Sequence, residues 1–113
     1  MCDRTLLNNL LYQVTDYSKE VFGDKLKKVI LYGSYARGDY DDESDIDVMI
    51  MADIPMEDVL KYSGKICDFV SDINVDNSVF ISPMIQSEAV FNKYKNVTPF
   101  YQNVAREGVR LYG

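Results

Sequence analysis

The chain has 113 residues, 47% of them hydrophobic and 27% charged, with a net charge of −6 and no histidine. That balance describes a globular fold rather than a disordered one. It counts against a surface that tracks a nucleic-acid backbone, which asks for a basic face. Without histidine, a metal site here is built from oxygen atoms, a set that suits Mg²⁺ or Mn²⁺ rather than Zn²⁺. The length fits one domain, residues 1–113. Cys2 and Cys67 lack CxxC spacing and read as free thiols of a reducing cytosol. No apolar run approaches membrane-span length, and Met1-Cys2-Asp3-Arg4 does not open a signal-peptide core, so a cytoplasmic protein with no membrane partner is expected.

Leu6, Leu7, Leu10, Leu11, Val14, Tyr17, Val21 and Phe22 recur at helical spacing and predict an amphipathic helix over residues 4–22, ended by Gly23-Asp24. Lys27 to Tyr32 reads as a buried strand. Gly33-Ser34 turns the chain, and Ser34 to Arg37 fits a short helical turn. Gly38 to Ser44 is a polar loop whose Asp39, Asp41, Asp42 and Glu43 read as solvated. Ile46 to Met51 is a second strand that pairs with the first.

Asp53-Ile54-Pro55 opens a long helix whose apolar stripe includes Met56, Val59, Leu60, Ile66, Phe69, Val70 and Ile73. Val75 to Ile85 reads as a third strand, with Pro83 marking an edge or a bulge. Ser87 to Tyr94 reads as a short helix. Thr98-Pro99 starts a last helix that ends at Gly108. Lys25, Lys27 and Lys28 read as a solvated face. The order predicts an α+β fold with a small mixed β-sheet flanked by helices.

Two positions carry the chemistry. Asp45 and Asp47 flank Ile46 at the start of the second strand, so alternation puts both carboxylates on one face. At roughly 6–7 Å and an effective dielectric of about 20 they repel by about 2.5 kcal/mol, which calls for a cation between them. Upstream, Gly33 lets the backbone approach a phosphate with no Cβ in the way. Ser34 offers a hydroxyl and an N–H, with the helical turn behind it adding N–H groups. Arg37, one turn on, can reach the same phosphate with a forked pair of hydrogen bonds.

Leu31-Tyr32-Gly33-Ser34-Tyr35-Ala36-Arg37-Gly38, followed by Ser44-Asp45-Ile46-Asp47-Val48, resembles the DNA polymerase β-like nucleotidyltransferase superfamily, and within it the minimal nucleotidyltransferases. The motif covers roughly residues 29–51. The resemblance implies the polymerase β-like nucleotidyltransferase fold and transfer of a nucleoside monophosphate, AMP from ATP or the like, to a hydroxyl. It implies Gly33, Ser34, Arg37, Asp45 and Asp47 at the nucleotide, and Mg²⁺ or Mn²⁺ on Asp45 and Asp47. It also implies an antitoxin that modifies a tyrosine of a separately encoded HEPN-type toxin.

The family's third carboxylate, a metal ligand and base, belongs on the third strand. Asp76 is the acid available there and joins Asp45 and Asp47 as the candidate catalytic and metal set. Ser78, two residues on, is the other candidate for the place. With Ser78 there, the alternative is a catalytically weak or inactive module that binds nucleotide or a partner. A single small domain leaves the acceptor site to a partner protein or to self-association. Tyr35, inside the motif, reads as core filler or as a lining of the nucleotide site.

Overall fold

The computed structural model describes residues 3–41 and 44–113. Cys2, Asp42 and Glu43, read above as a free thiol and two solvated acids, lie outside the described residues. Helix α1 spans Arg4–Phe22 and starts where the Asp3 carboxylate accepts the Leu6 N–H at 2.7 Å. Its inner face buries Leu7, Leu10, Leu11, Val14 and Phe22. Thr15 and Ser18 are buried on it as well, because their hydroxyls donate to the Leu11 and Val14 carbonyls at 2.8 Å.

A 3₁₀ turn, Gly23–Lys25, leads into β1, Leu26–Tyr32, and the one-turn helix α2, Ser34–Arg37, follows. Next come β2 at Ile46–Ala52, a 3₁₀ turn at Met56–Asp58 and the long helix α3, Val59–Asn77. β3 runs Ile81–Ser87, α4 Glu88–Tyr94, α5 Pro99–Glu107 and β4 Val109–Tyr112. The sheet order is β3-β2-β1-β4. β1 pairs antiparallel with β2 and β4, while α3 carries the chain over to make β2 and β3 parallel.

The sheet is covered on both sides, and alternation sorts its residues. Val29, Leu31, Val48 and Ile50 pack with α1 and α3 residues such as Leu10, Val14, Ile66 and Val70. Ile30, Met49 and Met51 pack with Phe91 of α4 and Val104 of α5. β2 is therefore an unbroken apolar run from Val48 to Ala52, as a central strand covered on both faces should be.

Two expectations need correction. The third strand does not begin at Val75: α3 continues to Asn77, and Ser78 caps it in the left-handed region at φ 53°. The Asn74 amide explains the difference. It accepts the Ile81 N–H at 2.8 Å and donates to the Ile81 carbonyl at 3.1 Å, tying the end of the helix to the first residue of β3. These are the outward backbone groups of an edge strand, and the next outward residue, Pro83, has no N–H to leave unpaired. The edge position predicted for Pro83 thus holds, on a strand that starts six residues later. The second correction is β4. The predicted order ended with the helix at Gly108, whereas Val109–Tyr112 form a further strand beside β1.

Candidate active site

Tyr32, Asp47 and Ser82 are cross-strand neighbours on β1, β2 and β3 and form one row on the sheet. Asp47 shares its face with Met49 and Met51, so it lies on the α4–α5 side. Asp45 has the same parity one step before β2 and is exposed; Asp47 is half-buried. The backbone turns over this row at Gly33, whose φ of 77° lies where side chains are disfavoured. A Cβ at Gly33 would also overlap the Asp47 carboxylate. Glycine is therefore needed for the turn and for the close approach.

α2 is built by Gly33 and Ser34. The Ala36 and Arg37 N–H groups donate to the Gly33 carbonyl at 3.1 Å, and those of Gly38 and Asp39 to the Ser34 carbonyl at 2.9 and 3.2 Å. Tyr35 is core, not lining: it is buried and stacks on Tyr40 with ring centroids 4.1 Å apart, which pins the turn to the body of the fold.

Facing this row across a cleft of about 240 Å³ is α5. Tyr32, Gly33, Arg37 and Asp47 form one wall; Phe100, Asn103, Val104 and Glu107 form the other. Tyr32 meets Phe100 edge-on at 5.7 Å. Arg37 is held by two acids, Nε to Asp39 Oδ2 at 3.2 Å and Nη1 to Glu107 Oε2 at 3.5 Å. The hydrogen bond and charge of Asp39, followed by those of Glu107, raise its pKa further. Burial is the main cause raising the pKa of Asp47, the Asp45 charge adds to it, and Arg37 opposes both. Burial and then the Asp47 charge raise the Tyr32 phenol as well.

Asp76 is not brought to this place. It is exposed on the last turn of α3, the helix that covers the opposite face of the sheet. Ser78, the other candidate for that position, is the cap of the same helix. The β3 residue in register with Asp47 is Ser82. Among the described residues no cluster of three or more acids, cysteines or histidines converges to hold a metal. Sequence reading missed Ser82 because strand register was needed to find it. It missed Phe100, Asn103 and Glu107 because the α5 helix was legible but its facing side was not.

An α+β domain with a glycine–serine turn packed on the first strands, and two acids one residue apart beside it, defines the nucleotidyltransferase class. Residues 12–109 match the nucleotidyltransferase domain family, and the chain belongs to it and is an enzyme of that family. Over 94 residues, 83% of this chain and 86% of the relative, it is 39% identical to "Putative protein adenylyltransferase MJ0604" of Methanocaldococcus jannaschii. To "Putative protein adenylyltransferase MJ0141" of the same organism it is 36% identical over 102 residues, covering 87% and 94% of the two chains. Among solved structures, a Sulfolobus solfataricus protein described as a putative nucleotidyltransferase matches with a TM-score of 0.57 at 19% identity, over 90% of this chain and 76% of that one. A mutant of the MntA-HpeT toxin–antitoxin matches with a TM-score of 0.51 at 16% identity, over 91% and 73%. At those identities the structural likeness speaks for the fold alone. No helix among the described residues is long and apolar enough to cross a membrane.

Proposed function

We propose that the chain moves AMP from ATP to a hydroxyl of a protein acceptor, with Mg²⁺ or Mn²⁺ held by Asp45 and Asp47. One observation carries the reading. Gly33, Arg37 and Asp47 face a single cleft, and Gly33 stands where any side chain would overlap the Asp47 carboxylate. The names of the M. jannaschii relatives support AMP as the group and protein as the acceptor.

The residues fit a divalent ion. Burial raises the pKa of Asp47 and the Asp45 charge adds to it, and the guanidinium in the cleft is paired with Asp39 and Glu107 instead of with Asp47. Mg²⁺ is commonly held by one or two carboxylates together with substrate phosphates, and Asp45 and Asp47 would supply the carboxylates. An ion held by Asp45 and Asp47 would supply charge neutralisation for an in-line displacement at the α-phosphorus, with pyrophosphate as the leaving group.

The protein's own groups do the rest. Gly33 admits the phosphates to the backbone, Ser34 offers its hydroxyl, and Arg37 turns from Glu107 to a phosphate oxygen. The cleft lies just below the range of whole-ligand sites, about 300–1,000 Å³. It suits the phosphates, with the nucleoside leaning out past Phe100. Ser82 stands beside Asp47 on the third strand, where the resemblance puts a carboxylate, so β3 offers no base for the attacking hydroxyl. This makes transfer slow and dependent on the substrate's own phosphate oxygens.

The acceptor we favour is a tyrosine of a HEPN-type partner, as the motif's resemblance implies. The test is incubation with Mg²⁺, ATP and such a protein, read by mass spectrometry. The expected result is addition of AMP units to a partner tyrosine. No adduct, or an adduct of phosphate alone, would overturn the reading.

A further inference from the structure

A second cleft, of about 230 Å³, lies on the other side of α5 and is ringed by Lys28, Lys95 and Arg110. Its apolar lining is Ile30, Phe91 and Val104, all buried, and no acid lines it. Lys28 and Lys95 are half-buried. Among the described residues neither Lys28 nor Lys95 has an ion pair; the salt bridges join Arg37 and Arg106 to Asp39 and Glu107. Arg110 donates to an oxygen of Gly113, the last residue of the sequence, at 3.0 Å. In a chain of net charge −6, this is a local reversal of sign. Half-burying a cation removes part of its hydration without supplying a counter-charge, and an entering anion would restore the balance.

We propose that this cleft docks an acidic segment of the protein acceptor, an inference that rests on the protein-directed transfer proposed above. Carboxylates would meet Lys28, Lys95 and Arg110, and an apolar neighbour would seat on Ile30, Phe91 and Val104. A nucleic-acid strand fits less well. The chain as a whole carries a net charge of −6, which disfavours a long polyanion, and a nucleic-acid backbone gains nothing from an apolar floor. The placement also suits an acceptor. Lys28, Ile30 and Tyr32 are alternate residues on one face of β1, so Ile30 and Lys28 lie about 7 and 13 Å along the strand from the Tyr32–Asp47 row. The far end of the cleft is thus about one helix diameter away. An acceptor straddling α5 can hold its acids in one cleft and its hydroxyl over the other.

The test is a titration of the ¹⁵N-labelled chain with acetyl-Glu-Glu-Leu-Glu-amide, followed by amide shifts. Saturable shifts at residues 28–30, 91–95 and 104–110 are expected, weakened roughly tenfold or more in Lys28→Glu/Lys95→Glu and again in Arg110→Glu. Shifts centred on residues 33–37, an equal response to acetyl-Gln-Gln-Leu-Gln-amide, or a stronger response to a twelve-residue oligothymidylate would overturn the proposal. A Mg²⁺–ATP titration of the same samples is read at residues 33–37 and 45–47. Its failure beside a surviving peptide response would count against the transferase reading and leave the cleft standing.

Discussion

α5 separates two clefts of nearly equal volume and opposite character. On one side Asp47 and Glu107 line the cleft with a single guanidinium, Arg37, which Asp39 also holds, and the Asp45 charge bears on Asp47, so acids outnumber the cation there. On the other, three cations stand round an apolar floor with no acid among them. The two share Val104, so one helix serves as the wall of both. Electrostatic imbalance is left at the places where something else is to be bound, and its sign says what. On the function proposed above, the first cleft takes a cation and then phosphates, and its neighbour takes an anion.

Breaking the first cleft at its turn has the largest expected effect. Gly33→Ala puts a Cβ against the Asp47 carboxylate and forces alanine into a left-handed conformation at φ 77°. Strain and overlap together should cost roughly 2–4 kcal/mol of stability and abolish ATP binding. Gly38→Ala sharpens the comparison. Its φ is 87° but nothing lies within 4 Å of the added carbon, so strain alone applies, about 1 kcal/mol, with binding retained. Equal losses in melting temperature for the two variants would remove the close approach from the argument.

Next come the carboxylates. Asp45→Asn and Asp47→Asn should each lower Mg²⁺-dependent ATP affinity by roughly a hundredfold, about 2.7 kcal/mol. Calorimetry showing the same binding with and without Mg²⁺ in the parent chain would sink the metal site. A smaller gain is expected from Ser82→Asp, which sets a third acid in register with Asp47. It should lower the Mg²⁺ concentration for half-maximal transfer severalfold; no change would mean that the Ser82 side chain does not reach the ion.

Glu107→Gln tests the other wall. Glu107 pairs with Arg37 at 3.5 Å and with Arg106 at 3.7 Å from a part-exposed position. Exposed pairs of this kind are worth about 0–1 kcal/mol. Releasing Arg37 should therefore tighten ATP binding by up to about fivefold. Unchanged affinity would argue that Arg37 does not meet phosphate.

How much of this was legible follows the range of the forces involved. The β1–turn–β2 unit could be read because each part has a local signature: alternation for the strands, Gly33 for the turn, two acids one residue apart. β3 was misplaced because Val75 and Val79 mimic strand alternation, whereas the deciding contact, Asn74 to Ile81, links residues that only the folded chain brings together. Asp76 looked like the third acid for the same reason. β4 escaped notice because four residues following a helix carry little pattern, and only pairing with β1 makes them a strand. The second cleft was invisible because Lys28, Lys95 and Arg110 are far apart in sequence and each resembles an ordinary surface charge.

The smallest effect concerns pH and turns on the sign of one shift. The folded-state pKa of Asp47 is raised, chiefly by burial and then by Asp45. Its ionised form is thus disfavoured in the folded chain. Between an ordinary aspartate's titration, near pH 4, and the raised value, the folded state binds more protons than the unfolded one. This group therefore adds stability at low pH and loses it as pH rises through that window, opposite to a salt-bridged aspartate. Melting curves without divalent metal should show Asp47→Asn more stable than the parent chain at pH 7, with the difference shrinking toward pH 4. Adding Mg²⁺ should close the gap by stabilising only the parent. An Asp47→Asn chain less stable than the parent at pH 7 without metal would show that the carboxylate is held by an attraction, and the case for an ion between Asp45 and Asp47 would lose its physical ground.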